Sequence, residues 1–466
     1  MRTCGRAKCF MERARLKLED SMCALRIIAR RGSNGALVGG LFAVVSIDRF
    51  FRTTPIPMRP SSLFSFHAFA RAVCLLASLT FIGFAAAFER PMSEIAREQY
   101  AFAAQQYAGM LKRMDGDATR LPRTVDKGEF RAVGPRDWTS GFFPGSLWLL
   151  YEHTGETRWR EAAEDYTKRV ESIQHFTGHH DVGFMLGCSY GEGLRLAGTP
   201  EWRAVLVQGA RSLATRYQPK VGLIRSWDAK EWKYPVIIDN MMNLELLWFA
   251  YRETGETQFR DIAISHADKT LKNHFRPDGS SFHLLDYDPE TGEVIKRQTV
   301  QGAADDSAWA RGQSWGLTGY ATMARLTGEA RYLEQARTIA KFLLSHPRLP
   351  EDGVPYWDYD APEIPDAPRD ASAAAVMAVG LLELSDQVTA DEASIYRAMA
   401  EKQLRSLSSP AYRATLNENG NFLLMHSVGH KSVGAEVDAP LNYADYYFLK
   451  ALARYLTPRV PAKAVY

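Results

Sequence analysis

From about residue 90 onward, apolar positions recur at the three-to-four residue spacing of helices, and alternating β-type runs are few. One signature repeats: a helix end, a Gly, an aromatic residue four positions on, then a second helix. It occurs at Gly155/Trp159, Gly198/Trp202, Gly255/Phe259 and Gly328/Tyr332. Gly suits the left-handed position that ends a helix. The aromatic residue then opens the apolar face of the next helix. Successive glycines are 43, 57 and 73 residues apart, so the unit is fixed and the connecting loops vary.

Helices rich in small and apolar residues are expected to start near Phe143, Asp181, Asp239, Arg311, Asp370 and Asp445. Six more polar helices are expected near 92–113, 157–174, 200–217, 257–274, 330–346 and 391–406. A helix apolar on all sides belongs inside, and a unit that cannot bury its own apolar face must stack on neighbours. Six of each predicts an all-α fold, an (α/α)6 barrel with an inner and an outer ring. An open solenoid is the competing arrangement, but the polar-faced capping repeats it needs are not seen.

In a barrel the loops before the inner helices converge at one end. Six of the ten Trp (Trp138, Trp227, Trp232, Trp309, Trp315, Trp357) lie in or beside those loops, and the other four lie within helices. Aromatic faces with polar edges suit the C–H faces of sugars. Asp137, His180, Asp181, Asp239, His283, Arg311, Arg369 and Asp370 share the loops. Together they describe an aromatic-lined cleft with acidic groups, as a carbohydrate site requires. Each residue also has a plainer reading. Asp181, Asp239 and Asp370 precede helices, where Asp is a favoured N-cap. Alternatively, two carboxylates on adjacent inner helices face one cleft, one ionised and one kept protonated. Arg311 at a helix start opposes the dipole, which implies an anion or carboxylate beside it. His179, His180, Asp181, His283, His426 and His430 lack metal-ligand spacing, so neither a metal nor a cofactor is expected. Cys188 reads as a small buried apolar residue.

Composition changes the picture in one respect. Residues 1–87 carry 13 Lys/Arg and 4 Asp/Glu, whereas 88–466 carry 44 and 50. Four of the five Cys lie in the first segment and every Trp in the second. From Met58 a basic stretch, the apolar run CLLASLTFIGF and Ala85-Ala86-Ala87 follow the order of a signal peptide. The apolar run is shorter than the ~20 residues that span a bilayer. The expectation is a start at Met58 with 1–57 a mis-called leader, a signal peptide at 58–87, and one catalytic domain at 88–466. That domain would be exported to the periplasm, with no stable membrane insertion after the signal is removed. The near-balanced charge excludes a strongly basic nucleic-acid binder. The oligomeric state is left open.

The segments WTSGFFPGSLW (138–148), HHDVGF (179–184), DNMMNLELLW (239–248), WARGQSWGLTGYA (309–321), RDASAAA (369–375) and EVDAPLNYADYYFLKAL (436–452) run in order through 92–452. Together the set resembles the unsaturated glucuronyl hydrolases, glycoside hydrolase family 88. The resemblance implies an (α/α)6 barrel and an unusual glycosidase reaction. A 4,5-unsaturated uronic acid, left by a polysaccharide lyase at the non-reducing end of a glycosaminoglycan disaccharide, is hydrated. A general acid protonates C4, water adds at C5, and the hemiketal opens to release the adjoining sugar. The partner implied is therefore an unsaturated oligosaccharide.

By the same resemblance Asp239 is the general acid/base and Asp181 the second essential carboxylate. Trp138 and Trp227 stack on the unsaturated ring. His180, His283, Gln301, Arg311 and Trp315 are substrate contacts. Val300 stands where some members carry His, which bears on local contacts rather than on reaction class. Ser427, His430 and Lys431 fall in the loop that meets the second sugar and its sulfate in some relatives. An unsaturated rhamnogalacturonyl hydrolase acting on pectin fragments, a sugar epimerase using paired His, and a non-catalytic glycan-binding protein are the alternatives.

Overall fold

The computed structural model describes residues 90–457, all within one unit spanning Arg90–Tyr466. The expected leader, signal peptide and Met58 start lie outside the described residues. In chain order the outer helices are α1 (Met92–Arg113), α3 (Thr157–Lys168), α6 (Pro200–Ala214), α8 (Thr257–Asn273), α10 (Ala330–Ser345) and α12 (Ala390–Leu407). The inner ring comprises α2 (Phe142–Thr154), α4 (Val182–Leu186), α7 (Leu244–Thr254), α9 (Ala310–Thr327), α11 (Ala371–Ser385) and α13 (Asn442–Leu456). A π turn, Gly187–Gly191, continues α4 into α5 (Glu192–Ala197), and a 3-10 turn, Ile238–Asn243, leads into α7. The last inner helix, α13, packs on both α11 and α2. The ring therefore closes, as expected, into an (α/α)6 barrel rather than an open solenoid.

The recurrent glycines end helices as expected at three of four places. Gly155, Gly255 and Gly328 adopt φ of 68°, 74° and 75°. Gly198 does not, with φ −46°. A Cβ there would lie 2.4 Å from the Leu194 carbonyl oxygen, so close approach to the preceding turn, not handedness, is what calls for glycine. Every residue of α11 is buried, and the run from Ala373 to Leu382 is apolar throughout.

Three layers follow one another along the barrel axis. The mouth, at the inner helix starts, holds the carboxylates and histidines. Below it lies an aromatic floor of Phe142, Phe184, Trp315, Tyr443, Tyr446 and Tyr447 in edge and tilted contacts. Deeper still, charged groups pair with one another. Glu192 accepts hydrogen bonds from Tyr446 (2.8 Å) and Lys450 (3.0 Å). Arg325 bridges Glu245 (3.0 Å) and Glu383 (2.5 Å), and Arg454 reaches Glu383 (2.7 Å) and Asp386 (3.2 Å).

The sequence pattern gave no sign of four small antiparallel sheets, whose strands are two to six residues long. They are β1 (Leu121–Asp126) with β2 (Glu129–Val133), β3 (Tyr217–Gln218) with β4 (Leu223–Ile224), β8 (Ser427–His430) with β9 (Ala435–Ala439), and a three-stranded sheet. That last sheet runs β5 (Pro235–Ile237), β6 (Leu284–Tyr287), β7 (Val294–Gln298). It leads directly into the 3-10 turn that carries Asp239 and places His283 one residue before β6.

Asp445 was expected to start the final inner helix. The helix instead starts at Asn442 and buries Asp445 in its first turn. Its carboxyl accepts from Leu423 N (2.9 Å), Leu424 N (3.0 Å) and the Tyr107 hydroxyl (3.1 Å). Burial raises its pKa to about 7, with the two backbone donors pulling the other way. This one group ties the first outer helix and the 421–424 loop to the last inner helix. Asp445→Ala strands two buried N–H groups and a hydroxyl at ~1–3 kcal/mol each. A loss of about 3 kcal/mol or more is expected in equilibrium denaturant unfolding.

Candidate active site

The two motif carboxylates arrive on different repeats, and a glycine lets those repeats touch. Gly183 opens α4 two residues after Asp181. A Cβ on it would lie 2.6 Å from the Asn243 Cα, at the end of the 3-10 turn that carries Asp239. The Asn243 side-chain carbonyl accepts the Phe184 N–H at 3.0 Å and fastens the approach. The Asp181 charge is consequently felt at Asp239.

The capping question resolves differently for the three Asp. Asp370 is an N-cap, accepting from Ser372 N (3.0 Å) and Ala373 N (3.3 Å). Asp181 stands at the N-cap position of α4 but makes no cap hydrogen bond, and Asp239 lies inside its 3-10 turn, whose N-cap position is Ile237. Asp181 lies instead between His179 Nδ1 (3.1 Å) and His180 Nε2 (3.3 Å). Burial works against its charge, but the two histidines outweigh it, and its pKa is lowered. His179, also opposed by burial, is raised by the hydrogen bond and charge of Asp181. His180 is fully buried and pushed down to about 4, so it is neutral.

Asp239 is the opposite case. Its Oδ2 is buried and has no hydrogen-bond partner. Burial raises its pKa to about 7; the Arg311 charge lowers it and the Asp181 charge raises it further. The nearest ring nitrogen is His283 Nε2 at 3.9 Å, itself without a partner. Burial first, then the neighbouring His430 and Arg311, push His283 down to about 3, so the ring is neutral. Its Nδ1 accepts Val300 N (3.0 Å) and Gln301 N (3.3 Å), which puts the ring proton on Nε2, on the side of Asp239. Gln301 is oriented in the same way. Its Oε1 accepts from Arg311 Nη2 at 3.3 Å, so its amide N–H groups face elsewhere.

Arg311 has the carboxylate neighbour that its position demanded. It is buried and pairs with Asp370 at 3.1 Å. Nη1 also donates to Val428 O, and Nη2 to Gly429 O at 2.7 Å. Its plane lies 4.6 Å from the Trp309 ring and 5.3 Å from Tyr443. Every Nη hydrogen is thus engaged, and Arg311 acts on Asp239 through its field.

Trp138 is half-buried against Phe142, Phe184 and Tyr443. Trp227 is half-buried and bridged through its backbone to His179. Several expectations need correction. Trp315 is fully buried on Phe184 and Tyr447, so it is floor rather than contact. Trp309 and Trp357, grouped with the cleft aromatics, are buried as well. Ser427 is fully buried where β8 pairs with Ala439, so it does not reach a second sugar. The Lys431 ammonium is held by Glu363 at 2.8 Å and sits 5.3 Å from the Trp357 ring. His430 Nε2 lies 3.0 Å from Val300 O, so it braces the Val300–Gln301 segment.

Two other loop residues are also structural. Asp137 binds Thr139 N (2.9 Å) and Arg123 (2.6 Å), and Arg369 pairs with Asp352. Sequence reasoning gave no role to His179, Gly183 or Asn243, although all three stand inside or beside the quoted motifs. Among the described residues, no group of three or more His, Cys, Asp or Glu is placed to hold a metal ion.

The chain is similar in sequence and in fold to known proteins. The model of Glycosyl Hydrolase Family 88 matches residues 111–455. An unsaturated glucuronyl hydrolase of Formosa agariphila is 44% identical over 342 residues, 72% of this chain and 85% of that protein. An unsaturated chondroitin disaccharide hydrolase of Streptococcus pneumoniae is 37% identical over 347 residues, 72% and 85% of the two chains. Among solved structures, an unsaturated glucuronyl hydrolase specific for heparin superposes with a TM-score of 0.75 at 44% identity, covering 78% of this chain and 97% of that one. The enzyme of Bacillus sp. GL1 gives 0.73 at 33% identity, covering 77% and 96%. The chain belongs to glycoside hydrolase family 88, and it is a glycosidase.

If the Gly183 contact sets the carboxylate pair, Gly183→Ala must push α4 off the 3-10 turn. A displacement near 1 Å costs about 10²-fold in rate. Glycosidase turnover is expected to fall by that order while the helical circular dichroism stays unchanged.

Proposed function

We propose, from membership in this family, that the protein hydrates the 4,5-double bond of an unsaturated uronic acid at the non-reducing end of glycosaminoglycan oligosaccharides. The observation that carries the reading is the buried carboxyl of Asp239, its Oδ2 without a partner, protonated up to about pH 7 beside an ionised Asp181. Asp239 gives its proton to C4. Water adds at C5 and returns a proton to the Asp239 carboxylate, so the group is restored and one water is consumed. The resulting hemiketal opens and frees the adjoining sugar. Asp181, held by His179 and His180, stays ionised and keeps the Asp239 proton in place by repulsion. His283 Nε2–H and the Gln301 amide are neutral donors for oxygens of the unsaturated ring, and Trp138 and Trp227 offer stacking faces.

The relatives' names include both heparin and chondroitin substrates. They favour glycosaminoglycan products over pectin fragments. Export through residues 58–87 is part of the same proposal, because lyase products of extracellular polymers would meet the enzyme outside the cytoplasm. Mass spectrometry of the native N-terminus tests it, and recovery of peptides from 1–57 would sink it.

The unsaturated uronate absorbs in the ultraviolet, and hydration removes the absorbance. The purified protein is expected to bleach lyase-generated disaccharides, and Asp239→Asn is expected to abolish bleaching. Retained activity in that variant would reassign the acid. The active form carries a proton on Asp239. Accordingly, kcat/KM should fall about tenfold per pH unit above about 7. The acid limb, set by Asp181, should lie below the ordinary carboxylate range. In Asp181→Asn the alkaline limb should move to lower pH, since a charge that raises the Asp239 pKa is gone.

A further inference from the structure

Two fully buried histidines, His266 and His274, have no part in the reaction above. His266 lies within α8, and His274 stands at its C-cap position. Burial pushes the His274 ring down to about 4, against its bond to Val236, so the ring is neutral. Its Nε2 lies 3.2 Å from Val236 O, which can only accept, so the ring proton sits on Nε2 and is donated there. Nδ1 is then left buried without a partner. An unpaired buried polar atom is costly. A leucine or phenylalanine would fill the same space without that cost, so packing does not account for a histidine here. The bond to Val236 does.

Val236 lies in β5, three residues before Asp239. The backbone carbonyl of His274 accepts Phe282 N at 2.8 Å, and His283 is the next residue. His274 thus holds both chain segments that lead to the Asp239–His283 pair, one with its ring and one with its backbone. The other fastenings of the pair are unequal. The His283 ring is held a second time, by Val300 N and Gln301 N on its Nδ1. The Asp239 carboxyl has no such hold on its Oδ2, so its place depends on the backbone at either side. After it, Asn240 Nδ2 donates to Ile224 O (2.8 Å), and Ile224 N donates to His266 Nδ1 (3.0 Å). Before it, Ile238 N donates to His283 O (3.0 Å), and the ladder with β6 ties β5 sideways. The His274 ring ties β5 to the outer helix.

We propose that His274 is a positioning residue for the acid, holding the Asp239 carboxyl in register with the reacting carbon without touching substrate. The inference rests on Asp239 being the acid, as proposed above.

The test measures kcat and KM separately, by bleaching of an unsaturated disaccharide with the full chain. His274→Leu and His274→Met remove the donor and keep an apolar side chain in its place. A misplacement near 1 Å costs about 10²-fold, and the loss of one tie among several should allow part of that, about tenfold in kcat. KM should stay within about twofold, because the tie is expressed in the transition state and not in substrate binding. His274→Gln keeps a donor within reach of Val236 O and should return kcat to within about twofold of wild type. Helical circular dichroism should be unchanged in all three. Wild-type kcat in a folded donorless variant, a KM that rises as much as kcat falls, or a Gln variant as slow as Leu would overturn the positioning role while leaving the reaction assigned. So would two donorless variants that fail to fold beside a fully active Gln variant, since the bond would then serve folding alone. A wild-type protein that bleaches no unsaturated disaccharide would overturn the hydration reading itself, and this inference with it.

Discussion

The site depends on one close backbone approach, Gly183 against Asn243. Neighbouring inner helices normally keep room for side chains between their axes. At the mouth of this barrel a missing Cβ removes that spacing for one residue, and the Asn243 amide ties down the Phe184 N–H. The loop before α4 and the turn before α7 are thereby brought together. Asp181 and Asp239 come from repeats 58 positions apart in sequence, yet their ionisations are coupled. The stretches HHDVGF and DNMMN each carry one carboxylate and one half of the contact that relates them.

A second constraint is the commitment of Arg311. A buried guanidinium free to face Asp239 would form an ion pair and drop the carboxyl far below neutrality. Here Asp370, two carbonyl oxygens of β8 and the Gln301 side chain take up its Nη hydrogens. Its charge reaches Asp239 only as a field, which burial outweighs. The same commitment orients Gln301, and two backbone N–H groups orient His283. The polarity of the mouth is therefore set from behind, before any substrate enters.

Much of this was legible in the sequence, for identifiable reasons. Helical periodicity and the Gly–aromatic signature located both rings, because burial of one face leaves a 3.6-residue imprint. The ordered motifs contained the two carboxylates that the fold brings near each other. Depth was not legible. Trp138 and Trp315 both lie in or beside inner-helix starts, and only the full burial of Trp315 shows that it is floor. Capping was ambiguous as well, since Asp stands at or near the start of a helix or turn in all three places and side-chain geometry alone separates Asp370 from the others. The strands around Asp239 and His283 were missed because runs of three to five residues carry too little alternation to register. Gly198 misled for a related reason, since a glycine needed for close approach reads the same as one needed for a left-handed turn.

The contrast among the buried carboxyls of this barrel shows what marks a functional acid. In the deep layer Glu192 lies between Lys450 and Arg195 and is held down to about 2 despite burial. Asp239 and Asp445 lack such a cation partner, and burial raises both to about 7. The raised value alone therefore does not distinguish them. Their oxygens do. Both oxygens of Asp445 are taken by backbone N–H groups and the Tyr107 hydroxyl, so its proton has nowhere to go and its work is structural. Asp239 keeps a buried Oδ2 with no partner in the protein, facing a histidine nitrogen that is likewise unused. A protonated carboxyl with an open side, in a mouth lined by neutral donors and indole faces, is what vinyl ether hydration needs. The acid must release its proton to carbon and recover one from water without a competing ion pair.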